Sequence, residues 1–223
     1  MTLLEAIEQR HSVRKYTDQP IESDKQRELQ MLIDSLNARY GLHIQLVTDD
    51  EVPFSSRLAR YGSFRGVRNY FAMVGRKGDN LNEVVGYAGE QLVLKAQLLG
   101  MNTCWAVLTF KKNMERIIVG EGEKVAALIA LGYGETQGKG HKIKRYEQVA
   151  KTEGAAPDWF KKGVEAALLA PTAINQQKFK LELLSDGTVK AKAGWGYYSD
   201  MDLGIVKLHF EIGSGRNNYF NIK

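Results

Sequence analysis

The stretch LNEVVGYAGEQLVLKAQLLG, residues 81–100, constrains the fold more than any other. Val84, Ala88, Leu92, Ala96 and Leu99 recur at helical spacing, and Gly100 supplies a C-terminal stop. A helix of this length needs apolar surface to lie on. The runs on either side provide it: YFAMVG (70–75) before it, TCWAVLTF (103–110) and KVAALIALGYG (124–134) after it read as strands. None of these runs approaches the roughly 20 apolar residues of a membrane span, so no membrane partner is expected.

Outside this centre the pattern mixes helices and strands without regular alternation. TLLEAIEQR (2–10) reads as a short helix with Thr2 and Glu5 spaced as a capping box. A second helix opens at Ile21-Glu22-Ser23, with Ser23 as its cap, carries Leu29, Leu32, Ile33 and Leu36, and closes at Gly41. LHIQLVT (42–48) alternates like a strand, and MERIIVG (114–120) reads as a short helix. TEGAAPDWF (152–160) reads as a linker, and DWFKKGVEAALLA as a helix running up to Pro171. KFKLELLSDGTVKAKAG forms a hairpin pattern around Asp186-Gly187, followed by a helix in MDLGIVKLHFEIG and a terminal strand in NYFNI. Together these give an α+β class. FKLELLSDG (179–187) also overlays HIQLVTDDE (43–51), each an alternating strand with an acidic turn after an amphipathic helix, a weak sign of internal repetition.

Composition narrows the function classes. The chain has 223 residues, 43% hydrophobic and 26% charged, with a net charge of +5. The basic residues are scattered except in KGHKIKR (139–145), and no zinc-finger, RRM or recognition-helix pattern accompanies them, so nucleic acid is not an expected partner. The one cysteine, Cys104, excludes an intrachain disulfide framework and fits a reducing cytoplasm; the first residues show no secretory pattern. The four histidines show no metal-ligand spacing, and His209 reads as a core or interface histidine. GYGETQGKG (132–140) matches neither GxGxxG nor the P-loop. No nucleophilic triad assembles, so no catalytic acid, base or nucleophile is named and the chemistry is assigned to a cofactor.

Two stretches carry the chemistry. RHSVRKY (10–16) sets Arg10, His11, Ser12 and Arg14 just after a helix, a donor set suited to phosphate or polyol; the plainer reading is an exposed basic loop. APTAIN (170–175) places Thr172 and Asn175 in a turn beyond a proline, and by chemistry alone it reads first as a broken helix end. GWGYYSD (194–200) offers Trp195 and Tyr198 as lid aromatics, with ordinary packing the favoured reading.

In combination these segments resemble the FMN-dependent nitroreductase family. AIEQRHSVRKY resembles that family's opening helix and R-R/H-S-x-R pattern, EQLVLKAQLLGMNTCWAVLTF its central helix and strand, and VAALIALGYGE with HKIKRYEQV its closing strand and basic segment. APTAINQQKF resembles A-P-S/T-x-x-N-x-Q-P-W, although Lys178 and Phe179 stand where that family has proline and tryptophan. The motif also comes late: the equivalent early position reads SLNAR (35–39). The resemblance therefore implies a nitroreductase-like fold, internally duplicated so that one chain mimics the usual homodimer. The first half would be 1–153 and the shortened second half 154–223.

It further implies one FMN site per chain. Arg10, His11, Ser12 and Arg14 would hold the FMN phosphate, ribityl chain or ring edge. Pro171, Thr172, Ala173 and Asn175 would face the flavin. The backbone at Leu108 and Thr109 would approach its N5 edge, and Lys142 and Lys144 would complete the phosphate pocket. The implied activity is ping-pong hydride transfer from NADH or NADPH to a small-molecule electron acceptor such as a nitroaromatic or quinone, by a monomer or weak homodimer. Flavin reduction, dehalogenation, enoyl reduction and non-catalytic flavin binding are the alternatives on the same fold.

Overall fold

The structure, a computed structural model, describes residues 1–55, 62–107 and 114–222. Helices and strands mix in an α+β arrangement, and the chain divides into two compact units that interleave in sequence. One comprises Gln9–Leu81 and Leu92–Gly140 and holds a four-stranded sheet. The other comprises Met1–Glu8, Asn82–Gln91 and His141–Lys223 and holds a three-stranded sheet. This partition is one of compactness. The duplicated halves expected at 1–153 and 154–223 are a question of descent, separate from this partition.

In the four-stranded unit, β1 (Gln45–Val47), β2 (Asn69–Arg76), β3 (Asn102–Ala106) and β4 (Glu123–Gly132) lie in the order β1-β2-β4-β3, all antiparallel. β2 and β4 read as unbroken apolar runs because both their faces are buried. Tyr70, Ala72, Val74, Leu128, Ala130, Cys104 and Ala106 join one cluster with Val13, Tyr16, Phe54, Phe64 and Val67, while Phe71, Met73, Ile129 and Leu131 are buried as well. The helix α2 (Ser23–Tyr40) buries Leu29, Ile33 and Leu36 and stops at Gly41, whose φ of 63° is the left-handed cap the sequence calls for. Its N-cap is Glu22 rather than Ser23, and the Glu22 carboxylate is engaged by the Tyr133 hydroxyl and Lys25.

Residues 114–120 form turns instead of the expected helix. Seven residues rich in β-branched side chains cannot repay helix nucleation. The Gln45 side chain satisfies the backbone instead, accepting from the Ile118 N–H at 2.9 Å and donating to its carbonyl at 2.7 Å.

The helix α3 (Leu81–Leu98) contributes Asn82–Gln91 to the three-stranded unit and the remainder to the other. The three-stranded unit also holds α1 (Leu3–Gln9), α4 (Tyr146–Val149), β5 (Ala150–Thr152), α5 (Asp158–Leu168), β6 (Phe179–Leu183), β7 (Val189–Ala193) and α6 (Ser199–Ser214). The capping box of α1 is reciprocal: the Thr2 N–H donates to Glu5 at 2.7 Å and the Glu5 N–H to Thr2 Oγ1 at 3.2 Å. β6 and β7 form the expected hairpin, with Gly187 at φ 83°, and β5 adds to β6 in parallel. α5 ends at Leu168, short of the expected Pro171, because a proline disfavours helical geometry in the residue before it and cannot donate a helical bond.

α3 and α6 meet at two glycines. A Cβ on Gly86 would lie 2.0 Å from the Met201 carbonyl oxygen, and one on Gly204 would lie 2.0 Å from that of Glu83. Around this crossing is a buried polar set. His209 reaches Glu90 at 2.9 Å and the Ala166 carbonyl at 3.1 Å, and the Tyr87 hydroxyl donates to Glu211. His209 is thus the core histidine its helical context implies. The expected terminal strand in NYFNI does not form. The Phe220 N–H is spent on Glu211 at 2.8 Å, and the rings of Tyr219 and Phe220 pack on Phe210.

Candidate functional site

The candidate residues fall into two clusters, each within one unit. In the four-stranded unit, RHSVR runs beside β3: Ser12 bridges Thr103, and the Val13 N–H donates to the Thr103 carbonyl at 3.0 Å. The Arg14 carbonyl accepts from the Arg65 N–H at 2.9 Å, and the Tyr16 hydroxyl returns to the Val13 carbonyl at 2.6 Å. The segment is therefore pinned along its backbone, not a loose basic loop. Gly138 allows the glycine-rich stretch to close on it, since a Cβ there would meet that of His11 at 2.8 Å.

Arg10 is buried, His11 and Ser12 are half-buried, and Arg14 is exposed. Arg10, Ser12 and Arg14 all act on Cys104, as alternate residues of an extended segment can. Burial pushes the Cys104 thiol up, and the two guanidiniums and the Ser12 hydroxyl only partly offset it. The thiol thus stays protonated and inert at neutral pH.

The second cluster lies in the three-stranded unit. Beyond α5 the chain passes Pro171 and Thr172 into a short 3-10 turn, Ala173–Asn175. Ile174, Asn175 and Gln177 have φ of 49°, 55° and 45°. Left-handed geometry at a β-branched residue is an outlier, and such strain persists only where surrounding bonds hold it. Here Asp202 and Gln177 hold it. The Asp202 carboxylate, in the first turn of α6, accepts from the Ala173 N–H at 2.9 Å and from Gln176 Nε2 at 2.7 Å. Burial raises Asp202 to about 6, against the opposing pull of those two bonds.

Gln177 ties the turn to the basic segment. Its backbone N–H donates to Thr172 Oγ1 at 3.0 Å. Its side-chain Nε2 donates to the Lys142 carbonyl at 2.7 Å and to Asn175 Oδ1 at 2.8 Å. Its Oε1 accepts from the Lys144 N–H at 2.8 Å, and its own carbonyl accepts from Lys144 Nζ at 2.9 Å. Asn175 Nδ2 donates to the Lys142 carbonyl at 3.0 Å. Thr172, Asn175, Lys142 and Lys144 thus converge, with Pro171 and Ala173 flanking them. Leu108 and Thr109 lie outside the described residues.

Phe179, at the family's tryptophan position, is buried at the start of β6. Lys178 is exposed, and its ammonium lies 5.7 Å from the ring centre of Trp195, which is itself 95% exposed. Gln177 and Asp202 were missed in the sequence. Gln177 sits inside the N-x-Q of the motif, which could have flagged it; nothing flags Asp202.

A family model described as "Putative TM nitroreductase" matches residues 2–214. The chain belongs to this nitroreductase family. Among solved structures, a "putative nitroreductase" from Thermotoga maritima is similar over 96% of this chain and 83% of its own, at TM-score 0.65 and 22% identity. An FMN-dependent nitroreductase from Clostridium difficile covers 65% of this chain and 95% of its own, at TM-score 0.51 and 21% identity. A "putative nitroreductase" from Desulfovibrio desulfuricans, solved in complex with FMN, covers 67% of this chain and 95% of its own, at TM-score 0.52 and 18% identity. At these identities the likeness establishes the nitroreductase-like fold. No curated protein matches the chain. Among the described residues no helix is long and apolar enough to cross a membrane.

Proposed function

We propose that this nitroreductase-family oxidoreductase binds FMN and works by a ping-pong cycle, with NADH or NADPH as donor and a nitroaromatic, quinone or similar small electrophile as acceptor. The observation that carries this reading is the second cluster: in a chain matched by the family from residue 2 to 214, one buried side chain ties four motif residues together. The residues fit the group. In the four-stranded unit a buried guanidinium with a hydroxyl two residues on and an exposed guanidinium suit a phosphate ester or polyol; in the three-stranded unit an exposed ammonium and an amide suit a phosphate and a polar ring edge. When bound, FMN supplies two-electron chemistry through its N5.

The chain's own residues bind and orient. Arg10, His11, Ser12 and Arg14 would hold the phosphate, ribityl chain or ring edge, and the basic segment that carries Lys142 and Lys144 would lie on the phosphate side. Pro171, Thr172, Ala173 and Asn175 would face the ring. The net charge of +5 favours phosphate-bearing ligands. We further propose that the chain is a duplicated nitroreductase acting as a monomer or weak homodimer in the cytoplasm. In support, shorter relatives align 95% of their length to about two thirds of this chain.

Purified protein is expected to be yellow and to release about one FMN per chain; a colourless protein that FMN cannot reconstitute sinks the reading. Arg14→Ala and Asn175→Ala should each weaken FMN binding about tenfold, the scale of one charge-assisted or buried hydrogen bond, in a flavin fluorescence titration. Stopped-flow reduction by NADH and NADPH, followed by mixing with quinone, tests the cycle.

A further inference from the structure

Lys144 and Lys142 are adjacent members of one basic segment, yet the structure uses them differently. Lys144 is half-buried and held by Gln177 at both ends, through its backbone N–H at 2.8 Å and its ammonium at 2.9 Å. Lys142 enters the cluster through its carbonyl alone, which receives Gln177 Nε2 and Asn175 Nδ2, while its side chain is exposed. Gln177 is 3% exposed, and both of its amide hydrogens are placed. An amide so fully committed has little freedom to release either lysine. Its backbone is left-handed as well, at φ 45°, a conformation that persists where surrounding bonds hold it.

We propose that Gln177 is a positioning residue that makes Lys144 an internal strut and presents Lys142 as the lysine that neutralises a ligand phosphate. The assignment rests on the FMN reading above. Pinning the Lys142 carbonyl fixes where its stem departs, and the exposed ammonium remains the compact, hydrated point charge that suits a phosphate. The Lys144 ammonium instead anchors a neutral carbonyl, so it stabilises the loop whether or not a ligand is present.

The test compares FMN with riboflavin, which lacks the phosphate, by fluorescence titration on the full chain, with thermal melts alongside. Lys142→Met should cost FMN affinity about tenfold or more, leave riboflavin affinity nearly unchanged and leave the melting temperature unmoved. Lys144→Met should lower the melting temperature and weaken both flavins alike, keeping their ratio within about threefold. Gln177→Leu should lower the melting temperature and also reduce the ratio, because the Lys142 carbonyl is released; Gln177→Glu should not rescue it, since a carboxylate lacks the two N–H donors. A ratio that collapses in Lys144→Met but survives in Lys142→Met overturns the assignment. So does a Gln177→Leu protein that melts early with its ratio intact, or a wild type that binds both flavins equally. A wild type that binds neither flavin refutes the FMN reading itself, an outcome distinct from these.

Discussion

Asp202 accepts hydrogen bonds on both carboxylate oxygens, yet burial still raises it to about 6 from 3.8. A raised carboxyl binds its proton more tightly in the folded state. Its contribution is therefore most favourable below about pH 4 and is lost as pH climbs through about 6, a span worth about 3 kcal/mol. Asp202→Asn should flatten that part of the stability profile between pH 4 and 7, measured by urea unfolding at fixed pH values; an unchanged slope would place the pH response elsewhere. The carboxylates lowered by their partners, such as the exposed Glu22 and the half-buried Glu123, act in the opposite direction in both proteins, so the difference between wild type and variant isolates Asp202. At this scale the sequence was partly legible. Asn175 and the two lysines stood out because residue type and motif spacing named them. Asp202 did not, because it reaches Ala173 and Gln176 from 26 or more residues away, and only the fold brings them together.

Helices with full turns were legible as elements, because an apolar stripe and a stop residue specify them locally. α2 and its Gly41 cap, and α3 from Leu81, are examples. The misses, MERIIVG and NYFNI, are short segments whose backbone groups bond to the side chains of Gln45 and Glu211, partners that local pattern cannot reveal. Two glycines in these helices separate conformational from steric demand. Nothing lies within 4 Å of a Cβ at Gly41, so Gly41→Ala should cost only about 1 kcal/mol for its left-handed backbone. A Cβ on Gly86 would lie 2.0 Å from the Met201 backbone carbonyl, which cannot swing aside as a side chain does. Gly86→Ala should therefore cost about 3 kcal/mol or more, or prevent folding. Denaturant midpoints of the two variants check the order, and similar losses would mean that α3 and α6 part easily.

Across the whole molecule, the compact units do not follow the chain in simple succession. The three-stranded unit draws Tyr87 and Glu90 from one segment, and Glu211 and His209 from another more than 100 residues later. The sequence hinted at repetition, since α2 leads to β1 as α5 leads to β6, but it could not show that β1 is an edge strand and β6 a central one. A fragment spanning 154–223 should consequently fail to fold alone, giving poorly dispersed amide resonances; a cooperative melt from it would contradict this. The same interleaving sets an order of events on the ribosome. The four-stranded unit is complete in sequence at Gly140, while Val84, Val85 and Ala88 await the stretch His141–Lys223. At about 5–20 residues per second, that stretch takes between about 4 and 17 s to synthesise. During this interval the nascent chain displays an apolar helix segment without its cover, and a ribosome-bound chaperone has its longest opportunity to engage it.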